Sequence, residues 1–429
     1  MRRFDRTSQS QSNALNRSHI RSVFARALWC GIATAFLSTG CAPEEEPVEP
    51  PLGVRPVRVL LFDSDEGCEV CVNDPFTLES IDGETIAAGD ALQCVNVTSS
   101  DGLRFGDLDP VDGPVTLSVQ NHGRSRIARI RDGKQEPRNS YPGAIEFSVQ
   151  DDGSLRVLNL VDIESYIGGV VACEASSAFG DESLKGQAVA ARTYAMYTMA
   201  RRSERSYDLR ASEGAQVYRG WASGAFGRRA RRAVEATRGL VLSHATPDGP
   251  RIFCAFYSSA CGGKSQSLSD VQQATVPEPL QGGVECHFCK IAKKNVYEWG
   301  PTEIKKSRLL ERLQSRRSDF DDWKDIASVR VVKETEFGRV HTVALTNSKG
   351  EEIQMRSEPF RLAVGSRTMR STDCTVIDDG DVIRMTDGHG FGHGLGLCQW
   401  GMEGLARQGR LAGSILRYYY PGSRIVRAF

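Results

Sequence analysis

Charge of one sign is missing from this 429-residue chain: 54 Lys and Arg are matched by 54 Asp and Glu. Without a basic excess there is no overall electrostatic argument for nucleic acid or an anionic membrane surface, and no nucleic-acid partner is expected. Long apolar runs are missing too. The stretch 27–37 (ALWCGIATAFL) falls well short of the ~20 residues that a spanning helix needs. No internal repeat is evident. What remains is ordinary globular composition, on a chain long enough for a core and for two or three domains.

Ahead of that apolar run stand Arg2, Arg3, Arg6, Arg17, Arg21 and Arg26, with Asp5 as the only acid. This is the pattern of a secretory signal peptide, over 1–40. Ser38-Thr39-Gly40-Cys41 resembles a lipoprotein cleavage box, so Cys41 is expected to carry lipid and anchor the mature chain to a membrane. Ser38 stands where a Leu is usual. Residues 41–56 are acidic and Pro-rich, cannot bury a core, and read as an extended tether. The expected location is the cell envelope, in the periplasm or on the outer face.

Residues 57–153 read as a β-rich lead-in, with strands at 57–62, 114–119 and 145–149 and a turn at Asp151-Asp152-Gly153, followed by another strand at 154–160. Cys68-Glu-Val-Cys71, with Cys94, could be half of a zinc ribbon, a redox pair or disulfide material. The segment lacks a second CxxC to complete a four-ligand zinc set, and export favours disulfides.

The most informative stretch is 162–199. Asp162 is a helix N-cap, and Tyr166, Ile167, Val170, Val171 and Glu174 follow at helical spacing, so one carboxylate ends an apolar stripe. After the Gly180-Asp181 break, Leu184, Ala188, Ala191, Ala195 and Met199 mark the buried face of a second helix. A second stripe, Lys185, Val189, Arg192 and Met196, carries two cations that either line an acidic substrate's groove or face water. In water, Glu174 is an ordinary helix-end carboxylate; in a groove, it is an acid.

Further on come a basic helix over 228–239, strands at 240–243 and 252–256, the loop Tyr257-Ser258-Ser259-Ala260-Cys261-Gly262-Gly263, a basic helix over 303–316 and three strands within 327–353. Cys286-His-Phe-Cys289, with Cys254, Cys261 and Cys398, forms a second thiol-rich group. A structural zinc on Cys261, Cys286, Cys289 and one more ligand and a set of disulfides are both open readings. Zinc is not favoured over disulfides, and no cofactor is expected. Last comes Gly388-His-Gly-Phe-Gly-His-Gly-Leu-Gly-Leu-Cys-Gln-Trp-Gly401, whose glycines let backbone approach a ligand or another strand closely.

Together, Glu164-Ser-Tyr166, Gly169-Val170-Val171, Glu174, the run from Leu184 to Ala195, Gln216-Val217-Tyr218 with Gly220, the Tyr257–Gly263 loop and the C-terminal glycine motif resemble the SpoIID/LytB domain family. The resemblance spans roughly 154–429. It implies an α+β fold, with the β-rich lead-in running into one catalytic domain interrupted by insertions. It also implies cleavage of peptidoglycan glycan strands by lytic transglycosylation. The chain departs from the family at Gly214-Ala215, where some members place zinc ligands, and at Ser265-Gln266, where a Thr-Glu pair is common.

An ordinary glycosidase needs two carboxylates about 5 to 9 Å apart. Glu174 is the one acid within the matched motifs with no evident partner. A lytic transglycosylase needs one, because the substrate's own C6 hydroxyl attacks the anomeric carbon and leaves a 1,6-anhydro muramic acid end. Glu174 is therefore the expected general acid and base, and its apolar neighbours Val170, Val171 and Ala175 disfavour the ionised form. Lys185, Gln187, Arg192, Tyr194, Tyr257, Ser258, His393 and Gln399 are the expected substrate-binding residues. A non-catalytic modifier of a partner amidase is the rival expectation.

Overall fold

The computed structural model describes residues 55–429 apart from 213, 273 and 274. Cys41, the expected signal peptide and nearly all of the expected tether lie outside the described residues. The fold is mixed α+β with a β-rich N-terminal part.

Strand Val57–Ser64 alternates, burying Val57 and Val59 completely, and pairs antiparallel with Leu155–Val161. These two strands sit within a seven-stranded sheet ordered Leu209–Arg210, Val57–Ser64, Leu155–Val161, Ala144–Val149, Val115–Val119, Phe76–Ser80, Thr85–Gly89. A second sheet centres on Ser125–Arg131, Cys68–Val72 and Leu92–Thr98. Phe105 of that sheet meets Phe147 of the first edge to face at 5.2 Å. Val59, Val70, Val97, Leu117, Ile127 and Val157 thereby share one core with the helices that follow.

Helix α1 (Ile163–Glu174) starts where expected, because the Asp162 carboxylate accepts the Ser165 N–H at 2.9 Å. Helix α2 (Asp181–Arg201) buries Leu184, Ala188, Ala191, Ala195 and Met199, and helix α3 (Gly224–Glu235) lies alongside. Arg192 neither faces water nor lines a groove. It is fully buried, with Nε and Nη2 on the Glu164 carboxylate at 3.0 and 2.5 Å and further bonds to the Leu240 and Val234 carbonyls. It bolts α2 to α1 and α3, which corrects its assignment to substrate.

A second core, from Trp299 to Met385, is built by two three-stranded sheets with helices Lys306–Gln314 and Ser357–Val364. The three expected strands are Ser328–Glu334, Val340–Thr346 and Glu352–Arg356. The helix expected from 303 starts only at Lys306, since Thr302–Lys305 is drawn into a strand against Val382–Met385, a tertiary pairing that outweighs local helix preference. The strand expected over 252–256 stops at Ile252. The chain pairs again at Tyr257–Ser258, in parallel with Leu397–Cys398, which carries the glycine motif back to the helices.

Candidate active site

Glu174 is the last residue of α1, where the helix stops and three later segments converge. Its Oε1 accepts the Val217 N–H at 2.7 Å. Its own carbonyl accepts from Gln399 Nε2 at 3.2 Å, and the same nitrogen reaches Gln187 Oε1 at 3.2 Å. The end of α1, the Gln216–Gly220 turn, the α2 face and the C-terminal motif are thus tied at one residue.

Gln216, wholly buried, organises the layer beneath. Its Nε2 donates to the Ala191 carbonyl and to Tyr257 Oη at 3.0 Å, and its Oε1 accepts from Tyr166 Oη at 3.1 Å. Burial, with the charge of Glu174 adding to it, pushes the phenols of Tyr166 and Tyr257 well above their ordinary range. Tyr194 is pushed up to about 12, again mainly by burial. All three remain neutral hydrogen-bonding groups at any physiological pH. Two buried polar atoms of the expected site, Gln187 Nε2 and Ser258 Oγ, have no partner. An unmet buried donor costs about 1–3 kcal/mol.

The other expected residues are placed differently. Lys185 pairs with Glu182 at 2.7 Å, while the second Glu182 oxygen accepts the Ala412 N–H, so this cation braces helix ends. His393 accepts the Leu395 N–H on Nδ1 at 3.0 Å, which puts its hydrogen on Nε2. Its ring lies edge-on to Phe256 at 5.8 Å, and Phe256 in turn meets Tyr194 at 5.9 Å. Desolvation pushes the imidazole down to about 4. The glycine motif earns its composition at Gly396, where φ is 60° and a Cβ would lie 2.2 Å from the Phe256 carbonyl.

Three positioning residues were given no role from sequence. Gln216 and Glu164 were quoted within motifs, and that was the available signal. Glu403 was not: buried, it accepts from the Gly180 N–H and the Ser183 hydroxyl, both at 2.8 Å, and so caps α2 from another helix. Behind the site, Cys261, Cys286, Cys289 and Cys398 gather with their sulfurs within 4.8 Å of one another. Cys71 is bonded to Cys94, while Cys68 is a free thiol in the core. A surface cavity lined by Phe62, Arg129, Tyr141, Tyr218 and Arg219 does not include Glu174.

Residues 151–244 match the model of the stage II sporulation protein family, SpoIID. Over 298 residues the chain is 29% identical to an uncharacterized protein of Brachyspira hyodysenteriae, covering 67% of this chain and 72% of that one. It is 25% identical to the stage II sporulation protein D of Bacillus subtilis, over 62% of this chain and 75% of that protein. It is also 26% identical to the amidase enhancer of Bacillus subtilis, spanning 60% of this chain and only 40% of that protein. The match to the SpoIID family model is thus carried by residues 151–244, and over longer stretches the chain is similar to stage II sporulation protein D and to the amidase enhancer.

Proposed function

We propose that the protein acts at the cell wall and cleaves peptidoglycan glycan strands as a lytic transglycosylase. The observation that carries this reading is the setting of Glu174: a carboxylate at the end of α1 held by the Val217 N–H, with its carbonyl and Gln187 Oε1 sharing the Gln399 amide. In this reading Glu174 carries the proton to be given, while Oε1 accepts the Val217 N–H. That proton passes to the glycosidic oxygen as the bond to the anomeric carbon breaks. The substrate's C6 hydroxyl oxygen then bonds to that carbon, and its proton returns to Glu174. The products are a 1,6-anhydro muramic acid end and a new hydroxyl on the leaving strand, and the carboxyl is regenerated. Gln187, Tyr194, Tyr257, Ser258 and Gln399 hold the sugars, while His393 shapes the loop that presents Gln399.

Among the described residues no helix is long and apolar enough to cross a membrane. Export, with a lipid on Cys41, is the proposed means of keeping the protein in the envelope. A second reading is favoured by the relative named an amidase enhancer: a wall-binding protein that modifies a partner amidase without cutting. The purified protein incubated with peptidoglycan separates the two. Fragments ending in anhydro-muramic acid support cleavage by transglycosylation, and reducing ends would indicate hydrolysis. No release from intact or peptide-stripped glycan would favour the modifier.

A further inference from the structure

Four cysteines from three separated segments meet in the interior. Cys261 lies in the loop after strand Tyr257–Ser258, Cys286 and Cys289 form a knuckle running into a 3₁₀ turn, and Cys398 caps helix Gln399–Arg407. All four are buried. Cys71 and Cys94 are covalently joined elsewhere in the chain, whereas none of these four is. The Cys261 and Cys289 sulfurs are 3.9 Å apart. A tetrahedron of thiolates at about 2.3 Å from a zinc ion has edges of about 3.8 Å.

The surroundings suit thiolates. Cys398 Sγ accepts the N–H of Cys261 at 3.2 Å and of Gly401 at 3.3 Å, and it stands at a helix N-terminus, where negative charge is favoured. The Tyr419 hydroxyl lies 3.0 Å from Cys286 Sγ. The buried Arg339 guanidinium binds the Cys261 carbonyl and keeps Nη1 without a partner, so a cation sits next to the cluster. The glycines fit the same purpose. A Cβ on Gly401 would lie 2.4 Å from Cys286 Sγ, and one on Gly404 would lie 2.5 Å from the Phe288 carbonyl. Both positions must be bare for the helix to press on the knuckle.

We propose that Cys261, Cys286, Cys289 and Cys398 bind one zinc ion as a closed tetrathiolate. Four soft ligands with no open position select zinc in a structural role. The ion staples the Tyr257–Gly263 loop, the knuckle and the start of the C-terminal helix, 137 residues apart at the extremes. It thereby fixes Gln399, the neighbour of Cys398, against Glu174. This set is distinct from the position before Gln216 where some relatives are expected to hold metal, which is Gly214-Ala215 here.

The test is metal analysis of the purified full-length protein, independent of any glycan cleavage. One zinc per chain is expected. Its exchange for cobalt should give the visible bands of a tetrahedral tetrathiolate, and Cys289→Ser should lose the ion while Cys254→Ser keeps it. Should Cys289→Ser fail to fold, alkylation of the native wild type decides: the four thiols should be protected until zinc is withdrawn by a chelator. Protein without metal, with an intact mass lowered by two hydrogens per cystine among these four, would overturn the proposal. So would iron in place of zinc, or zinc retained by Cys289→Ser.

Discussion

At the N-terminal end of α1, Glu164 is sealed inside the protein, both oxygens held by the Arg192 guanidinium and one of them also by the Gly239 N–H at 3.0 Å. At the other end Glu174 meets the backbone N–H of Val217 and stands among tyrosines. Ten residues separate them, about 15 Å along the axis and roughly 80° around it, so the same residue type on one helix enters two environments. A carboxylate clamped by a fixed guanidinium serves architecture. The Val217 N–H brings no charge to its bond with Glu174 and keeps that carboxylate in place, which suits repeated proton transfer.

The strongest way to break this contrast is to unclamp Glu164. Arg192→Met leaves a buried carboxylate without its cation and should lower unfolding free energy by about 3–5 kcal/mol, measured by urea denaturation. The rate per folded molecule should hardly change. A loss below about 1 kcal/mol would mean that the pair is not what joins the helices. Glu174→Gln should do the reverse. The amide oxygen can still accept the Val217 N–H, so melting temperature should stay close to wild type while release of anhydro ends falls at least about a hundredfold, or about 2.7 kcal/mol in barrier. A folded Glu174→Gln with near-normal turnover would remove Glu174 from the mechanism.

Half of this contrast was legible in the sequence. The caps and apolar stripes of α1 and α2 are local, and the Asp162 cap and the buried face from Leu184 to Met199 form as they read. Arg192 was not legible, because its partner lies 28 residues earlier and its cover comes from Val234 and Leu240 on later segments. Spacing alone also misleads for the two CxxC pairs. Cys68 and Cys71 lie on a strand, where residues three apart face opposite sides, so Cys68 enters the core and Cys71 turns to Cys94. Cys286 just precedes the 3₁₀ helix Phe288–Ile291 that carries Cys289, and both sulfurs gather at one centre. The strand-pairing register that delays helix Lys306–Gln314 is likewise set from far along the chain, with Glu303 opposite Arg384.

His393 offers the smallest and sharpest test, because it asks whether an ionisable group held by backbone behaves as architecture, like Glu164, or as chemistry, like Glu174. Its Nδ1 takes the Leu395 N–H. Burial lowers its pKa from 6.5 to about 4, opposed by the Glu358 carboxylate and assisted by the Arg361 and Arg339 cations. Between those values the unfolded chain binds the proton and the folded chain does not. Stability from this site is therefore complete above about pH 6.5 and is lost as pH falls toward 4, at no more than about 1.4 kcal/mol per pH unit. His393→Asn, whose amide oxygen can accept the Leu395 N–H, should melt less steeply with falling pH than wild type across that window. Because the ring is neutral from about pH 6 to 8, the ratio of wild-type to variant cleavage rates should be flat there. A rate limb near pH 6.5 that disappears in His393→Asn would show that the imidazole titrates in the working range, and would move it from the frame of the site onto the substrate.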